Sequence, residues 1–189
     1  TAWYGLYLSR LLKEAGHTVI VLTQAGTDTH RQALAWGLDA RPADPNTSNP
    51  LRLAVTAARL VALLRREKPQ IVNCHRGEGF FLWGLFKALG FPFRLVRTRG
   101  DQRPPRADAL NRFLHAHVAD AVVVTNSRMA RHFLSAMRTP EAKVWLIHGG
   151  VDRERFRFDP EGRERVRAEF GYGPKERVIA LLGRFDAVK

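Results

Sequence analysis

Two cations near the end of the sequence could hold a phosphate group. The apolar run at residues 178–182 leads into Gly183-Arg184, and Lys189 follows five residues after the arginine. A strand that opens into a turn at this point would hold both cations near one another, and fixed cations bind phosphate oxygens well. We therefore predict a phosphate-binding clamp formed by Arg184 and Lys189.

A histidine marks a second candidate site. His75 directly follows the apolar stretch 71–74 and precedes a turn that contains Gly77 and Gly79. Ligands of parallel sheets bind beyond the carboxyl ends of the strands, so an imidazole at this point can donate a hydrogen bond to a ligand in the cleft. The alternative interpretation is structural, because a polar residue here could simply cap the following helix.

An arginine-rich segment is the third candidate. Residues 94–106 contain five arginines, among them Arg97, Arg99 and Arg103, together with the acidic Asp101. The guanidinium group is suited to bidentate binding of phosphate or carboxylate. The alternative is a solvated loop that binds nothing.

Short apolar strands alternate with helical patterns along the chain, and this alternation predicts the fold. The predicted strands lie at residues 18–22, 39–41, 71–74, 93–97, 121–125 and 143–147. Continuously apolar strands indicate burial on both faces, and hence a parallel sheet between helices. We predict one doubly wound, mainly parallel sheet of α/β class, with His75, Arg99 and Gly149 near its carboxyl edge.

The ends of the predicted helices carry recognisable signals. Gly16 is expected to end the first helix in a left-handed conformation, and Pro50 to begin a helix that ends before Pro69. Ser127 is expected to cap a later helix, and a last helix is expected from about Pro160. These signals strengthen the prediction of alternating strands and helices.

Two passages resemble a known family. Residues 119–134 begin Ala-Asp-Ala-Val-Val-Val, and residues 143–156 read Lys-Val-Trp-Leu-Ile-His-Gly-Gly-Val-Asp-Arg-Glu-Arg-Phe. In their order and spacing, and together with the Gly183-Arg184 turn, they resemble the motifs of group 1, or family 4, glycosyltransferases of the GT-B fold. The pair Gly149-Gly150 is expected to form a positive-φ turn at the bottom of the cleft.

The resemblance implies a domain organisation. Residues 1–172 would be a Rossmann-like, acceptor-side N-terminal domain that lacks its first strand. Residues 173–189 would be the linker and the first strand of a truncated donor-binding domain. The chain would then be a fragment that is inactive alone.

The resemblance also implies roles for the candidate residues. Arg184 and Lys189 would neutralise the diphosphate of a nucleotide sugar, and His75 would be the catalytic residue that contacts the donor sugar or its phosphate. The arginine-rich segment would face the acceptor. Its candidate binding residues are Arg97, Arg99, Asp101 and Arg103. The expected activity is that of a retaining glycosyltransferase without a metal or other cofactor.

The net charge of +13 indicates anionic partners. It suits an anionic glycan or a lipid-linked acceptor such as lipopolysaccharide, and it would allow peripheral contact with an anionic membrane. No apolar run reaches the roughly 18 to 20 residues of a membrane span, and no signal-peptide pattern is present. We therefore predict a cytoplasmic protein, with the inner membrane face as a second possible location.

Two other functions remain open on the sequence. One is a basic, non-enzymatic module that binds phosphate or nucleic acid, although scattered arginines without interleaved aromatic residues make nucleic acid an unexpected partner. The other is a different sugar enzyme on the GT-B fold, such as an epimerase. A metal site is not expected, because His115 and His117 would point to different faces of a helix. The single Cys74 is expected to be a small buried apolar residue.

Overall fold

All strands of the chain pair in parallel. The structure is a computed structural model, and it describes residues 2–45, 49–77, 79–100 and 103–181. Its strands are β1 (Ile20–Thr23), β2 (Asp39–Pro42), β3 (Ile71–Cys74), β4 (Arg94–Arg99), β5 (Ala121–Val124) and β6 (Val144–Leu146). The parallel pairing and the intervening helices confirm the predicted mainly parallel, doubly wound α/β fold.

The strands form two ladders, and the prediction of one six-stranded sheet is wrong in this respect. β1 pairs with β2, and the second ladder has the order β3-β4-β5-β6. Among the described residues, neither β1 nor β2 pairs with a strand of the second ladder, so no strand-to-strand hydrogen bonds join the two ladders. Alternation along a sequence predicts parallel strands, but it does not say which strands are neighbours.

Helices separate the strands. They are α1 (Ala2–Glu14), α2 (Asp28–Ala35), α3 (Pro50–Glu67), α4 (Phe80–Ala88), α5 (Ala109–Phe113), α6 (Ser127–Ser135) and α7 (Pro160–Glu169). A single π-helical turn, Leu114–Val118, continues α5, and a short 3-10 helix spans Glu141–Lys143.

Most predicted helix ends are correct, with one exception. Gly16 follows α1 with φ +89°, and Pro50 occupies the first turn of α3, whose start Asn49 caps. The predicted cap Ser127 is instead the first residue of α6. The cap is Asn126, whose side-chain oxygen accepts a 2.8 Å hydrogen bond from the backbone N–H of Met129. Both residue types cap well, so the sequence alone could not separate adjacent candidates.

The larger core lies around the four-stranded sheet. Leu95, Val122 and Val124 of its central strands are fully buried, and Phe133 of α6 is fully buried with them. A smaller cluster of Leu6, Ala33 and Leu38 packs around the β1–β2 ladder. Central strands that are buried in this way hold the carboxyl edge of the sheet in place.

Two compact units make up the chain, residues 1–149 and residues 150–189. In the second unit Asp159 caps α7, and the buried Arg167 donates a 3.0 Å hydrogen bond to the carbonyl of Glu176. Residues 178–181, predicted to begin a strand, have no regular secondary structure because no described strand pairs with them. The assignment of residues 173–189 to a second domain stays a prediction, since residues 182–189 lie outside the described ranges.

Candidate functional site

The carboxyl edge of the four-stranded sheet brings the first-unit candidates together. His75 directly follows β3, and Arg97 lies opposite Cys74 in the pairing of β3 with β4. Arg99 ends β4, and Gly149 comes three residues after the end of β6. The predicted placement of His75, Arg99 and Gly149 at one edge of this sheet is therefore confirmed.

His75 is enclosed by the first helix. Its ring centroid lies 5.9 Å from that of Tyr4, and a Cβ added to Gly5 would come within 3.1 Å of its Cγ. The buried Nδ1 makes no hydrogen bond with any described residue. Burial, helped by the positive charge of Arg97, lowers the pKa of His75 to about 4. The imidazole is therefore neutral at pH 7.

The alternative interpretation of His75 as a helix cap is wrong. The N-cap of α4 is Gly79, with φ +83° and no side-chain hydrogen bond to the first turn. The helix thus begins with backbone N–H groups that no side chain caps, only a few residues from His75. Such a helix start favours negative charge on a ligand.

Arg97 is buried beneath this edge and is not part of a solvated loop. Only 1% of its surface is exposed, and it lies within β4, which continues to Arg99 and is paired with β3 on one side and β5 on the other. Its Nη1 donates hydrogen bonds to the carbonyls of Cys74 (2.6 Å) and Thr98 (3.3 Å). The guanidinium carbon also lies 5.5 Å from the ring centroid of Phe80. Arg97 therefore joins the end of β3 to the start of α4.

The other residues of the arginine-rich segment are more accessible. Arg99 is partly buried, and its Nη2 donates a 2.7 Å hydrogen bond to the carbonyl of Arg103. Arg103 is itself exposed. Asp101, the predicted acidic member of this group, lies outside the described residues. Of the arginines predicted to bind a ligand, Arg99 and Arg103 are thus more accessible than Arg97.

His115 belongs to the same region, and the sequence did not single it out for a role there. It lies in the π-helical turn with 2% of its surface exposed, between the rings of Phe80 (4.8 Å) and Phe133 (5.1 Å). Its Nδ1 is 2.7 Å from the carbonyl of Asn111, which can only accept, so Nδ1 carries the proton. Its Nε2 is buried without a hydrogen-bond partner among the described residues.

Burial holds His115 in its neutral form. It lowers the pKa of His115 to about 4, the Asn111 carbonyl opposes this shift, and the charges of Arg97 and Arg99 add to it. His117 is exposed, so the two histidines do face different directions as predicted.

The burial of Arg97 did have a usable signal in the sequence. Leu95, Arg97 and Arg99 alternate along one strand, so the two arginines lie on the same side of the strand as the buried Leu95.

The predicted cleft turn has a different backbone conformation. Neither Gly149 nor Gly150 has φ in the left-handed region, so the predicted positive-φ turn is wrong. A Cβ added to either glycine would meet no atom within 4 Å, so a larger L-residue would fit at either position. The predicted clamp residues, Arg184 and Lys189, lie outside the described residues.

Cys74 is not a reactive group in this site. It is 7% exposed, and burial raises the pKa of its thiol to about 12 despite the opposing charge of Arg97. The prediction of a small buried apolar residue is confirmed. In the part of the chain that the structure describes, no group of His, Cys, Asp and Glu side chains could hold a metal ion. No helix there is both long and apolar enough to cross a membrane.

Parallel strands, an enclosed neutral histidine and cations at the carboxyl edge are typical of an α/β protein that binds a ligand at this edge. The sequence model of Glycosyltransferase Family 4 matches residues 2–155. The chain belongs to this family, as the motifs predicted.

Individual relatives agree with this assignment. The D-inositol 3-phosphate glycosyltransferase of Mycobacterium marinum is 35% identical over 71 residues, which are 38% of this chain and 15% of that protein. The protein of the same name from Mycobacterium sp. strain KMS is 29% identical over 92 residues, 49% of this chain and 20% of the relative. The matched regions thus span a small part of these relatives.

Solved structures share the fold. A glycosyltransferase from Rickettsia africae matches with a TM-score of 0.75 and 18% identity, over 92% of this chain and 46% of that protein. HepE of Anabaena in complex with UDP matches with a TM-score of 0.70 and 14% identity, over 89% of this chain and 46% of HepE. The chain spans less than half the length of either structure.

Proposed function

We propose that the chain works in a retaining glycosyltransferase that moves a sugar from a nucleotide sugar to a phosphate-bearing or lipid-linked envelope glycan, without a metal. Lipopolysaccharide core is one acceptor of this class. The observation that carries the proposal is that His75 and Arg97 both lie at the carboxyl edge, near the start of α4, whose first turn no side chain caps. Membership of Glycosyltransferase Family 4 supports the proposed activity. The carboxyl edge is also the place where parallel α/β folds bind their ligands.

His75 would act through hydrogen bonding and not through charge. A pKa of about 4 keeps its imidazole neutral at pH 7, with one N–H donor and one acceptor nitrogen. A neutral ring of this kind suits a sugar hydroxyl or a glycosidic phosphate oxygen. Arg97 donates a hydrogen bond to the carbonyl of Cys74, directly before His75. It would hold this part of the backbone so that the imidazole faces the ligand.

The donor proposed is a nucleoside diphosphate sugar. The fold neighbour HepE was solved with UDP and with UDP-glucose, which supports a donor of this class here. In our proposal Arg184 and Lys189 neutralise the departing diphosphate, because fixed cations stabilise negative charge that develops in a transition state.

The acceptor proposed carries negative charge. The net charge of +13 supports this, as does the phosphate in the name of the mycobacterial relatives, D-inositol 3-phosphate glycosyltransferases. Arg99 and the exposed Arg103 would contact the acceptor, whereas Arg97 is too deeply buried to do so. We place the reaction in the cytoplasm, at the inner membrane face if the acceptor is lipid-linked.

Kinetics of the full-length protein test this function. We expect His75→Ala to lower kcat by about two orders of magnitude, the usual cost of one preorganised hydrogen bond in a transition state. His117→Ala, which removes an exposed histidine, is the matched control and should leave kcat unchanged. Equal activity of the His75 and His117 variants would refute the catalytic role of His75.

A second experiment tests the acceptor side and separates the alternative function. The double variant Arg99→Ala/Arg103→Ala should raise the KM for acceptor and leave the affinity for nucleotide sugar unchanged. If the protein instead binds nucleic acid, the same variant would flatten the salt dependence of oligonucleotide binding by about one log–log unit per lost phosphate contact. Salt-steep oligonucleotide binding with unchanged acceptor kinetics would refute the transferase proposal.

A further inference from the structure

The segment between β4 and α5 carries one of the arginines proposed to contact the acceptor. Residues 103–108 read Arg-Pro-Pro-Arg-Ala-Asp, and Arg103 and Arg106 are exposed. We call these six residues the proline segment. Residues 104–108 belong to no helix or strand, and the two prolines have no backbone N–H to donate. The conformation of the proline segment therefore depends on contacts with other parts of the fold.

Two side chains from other elements hold carbonyl groups of the proline segment. At the end of β4, Nη2 of Arg99 donates a 2.7 Å hydrogen bond to the carbonyl of Arg103. On α6, Nε2 of His132 lies 3.0 Å from the carbonyl oxygen of Pro105. A carbonyl oxygen can only accept, so Nε2 carries the proton and donates this bond. The proline segment is thus tied to the strand before it and to a helix residue 27 positions further along the chain.

The far end of the proline segment is fixed as well. Ala107 packs against the larger core, and the side chain of Asp108 caps α5 by accepting a 2.9 Å hydrogen bond from the backbone N–H of Asn111. Between this end and β4, the contact at Pro105 comes from His132. Loss of that hydrogen bond should therefore release the middle of the segment and leave both of its ends in place.

His132 is itself held by a well-packed part of α6. It is partly buried, and the next residue, Phe133, is fully buried in the larger core. The two rings meet edge to face, with their centroids 6.1 Å apart. The backbone carbonyl of His132 also accepts hydrogen bonds from the backbone N–H groups of Ala136 and Met137, both 3.0 Å long. A side chain whose surroundings fix its position in this way can in turn fix the group that it binds.

We infer that His132 is a positioning residue for acceptor binding. Its hydrogen bond to Pro105 holds the proline segment so that Arg103, two residues earlier, faces the acceptor. His132 itself contacts no substrate and acts through Arg103. The inference rests on the proposed function for the identity of the ligand, whereas the anchoring of the segment by His132 can be measured without any ligand.

Two substitutions separate the hydrogen bond from the ring. His132→Phe keeps an aromatic ring beside Phe133 and removes the donor. His132→Gln places an amide N–H about as far along the side chain as Nε2, so it should restore the hydrogen bond. His117→Phe is the matched control, because it makes the same chemical change at an exposed histidine of the same unit.

Limited trypsin digestion of the full-length protein measures the anchoring. Cleavage after Arg106 requires the proline segment to leave its contacts, and fragment masses identify the bond; Arg103 precedes a proline and resists trypsin. We expect His132→Phe to raise the rate of this cleavage about fivefold, the scale of one lost neutral hydrogen bond. His132→Gln and the control should be cleaved at the wild-type rate. Cleavage after the exposed Arg59 of α3 should not change in any variant, which separates local release from a general loss of stability.

Calorimetric titration of the same variants measures the consequence for binding. Inorganic phosphate is the probe, since the proposed acceptor carries phosphate, and UDP is added first to occupy the donor side. His132→Phe should raise the Kd for phosphate about fivefold and leave the Kd for UDP unchanged, and His132→Gln should restore the wild-type value. In an Arg103→Ala background, His132→Phe should have no further effect, because both residues then act on a contact that is already lost.

Three results would overturn the inference. They are equal cleavage after Arg106 in the wild type and His132→Phe, faster cleavage that His132→Gln does not reverse, and faster cleavage with unchanged phosphate affinity although Arg103→Ala weakens phosphate binding. Failure of the proposed function gives a different result, in which Arg103→Ala itself leaves phosphate binding unchanged. That result would refute the acceptor role of the proline segment, and the cleavage rates would still decide whether His132 anchors it.

Discussion

Acidification between pH 7 and pH 5 should destabilise the first unit through its two enclosed histidines. Both His75 and His115 have pKa values of about 4 in the folded chain, against about 6.5 in an unfolded one. The unfolded state therefore binds more protons in this range. The stability that neutral histidines contribute is fully present above pH 6.5 and is lost as the pH falls toward 4.

The size of the effect follows from these two pKa values. For His115, which is almost completely buried, the linkage relation gives a loss of about 2 kcal/mol between pH 7 and pH 5. His75 is partly exposed, so water will screen its charge and its contribution will be smaller. Carboxyl groups contribute little to the pH dependence between pH 7 and pH 5, because they stay ionised there in the folded chain. Lowered pKa values are found for Asp39, Glu67, Asp108 and Asp120.

Urea unfolding at pH 7, 6 and 5 measures this dependence. His115→Phe keeps an aromatic ring between Phe80 and Phe133 but cannot be protonated, so it should remove about 2 kcal/mol of the pH dependence. His117→Phe makes the same chemical change at an exposed position two residues away and should leave the dependence unchanged.

The reasoning would be refuted by a wild type whose free energy of unfolding is constant from pH 7 to pH 5. A pH dependence that His115→Phe leaves intact would refute the part assigned to His115.

Two further predictions concern the cations. Arg97→Met should raise the pKa of His75, because a nearby like charge is removed, and NMR titration can measure this change. Arg94→Met, on the same strand with 77% of its side chain exposed, is the control and should cause no such rise. In the full-length enzyme Arg184→Ala and Lys189→Ala should each lower kcat by about one to three orders of magnitude, the range for losing a preorganised charge at a leaving group. Full activity in both of these variants would show that the diphosphate is held elsewhere.

Much of the fold was predictable because its signals are local. Continuously apolar strands at 71–74 and 121–125 indicate burial on both faces wherever they lie, and Gly16 or Pro50 restricts backbone angles irrespective of tertiary contacts. The same holds for His75, which is identified by its place after a strand. Family membership could likewise be predicted, since it depends on the order and spacing of motifs that can be read along the chain.

The tertiary structure decided which side chains these elements bring together. Arg97 reads as one arginine of a basic loop, yet the pairing of β3 with β4 places it under Cys74 and Phe80, where burial makes its charge act on its neighbours. His115 has no sequence signal, because its neutrality comes from two rings contributed by other helices. Most helices and strands depend mainly on residues close together along the chain, so the sequence could predict them, whereas residues 178–181 form no strand without a partner. Burial and electrostatics depend on residues distant in sequence, so only the packed structure could decide them.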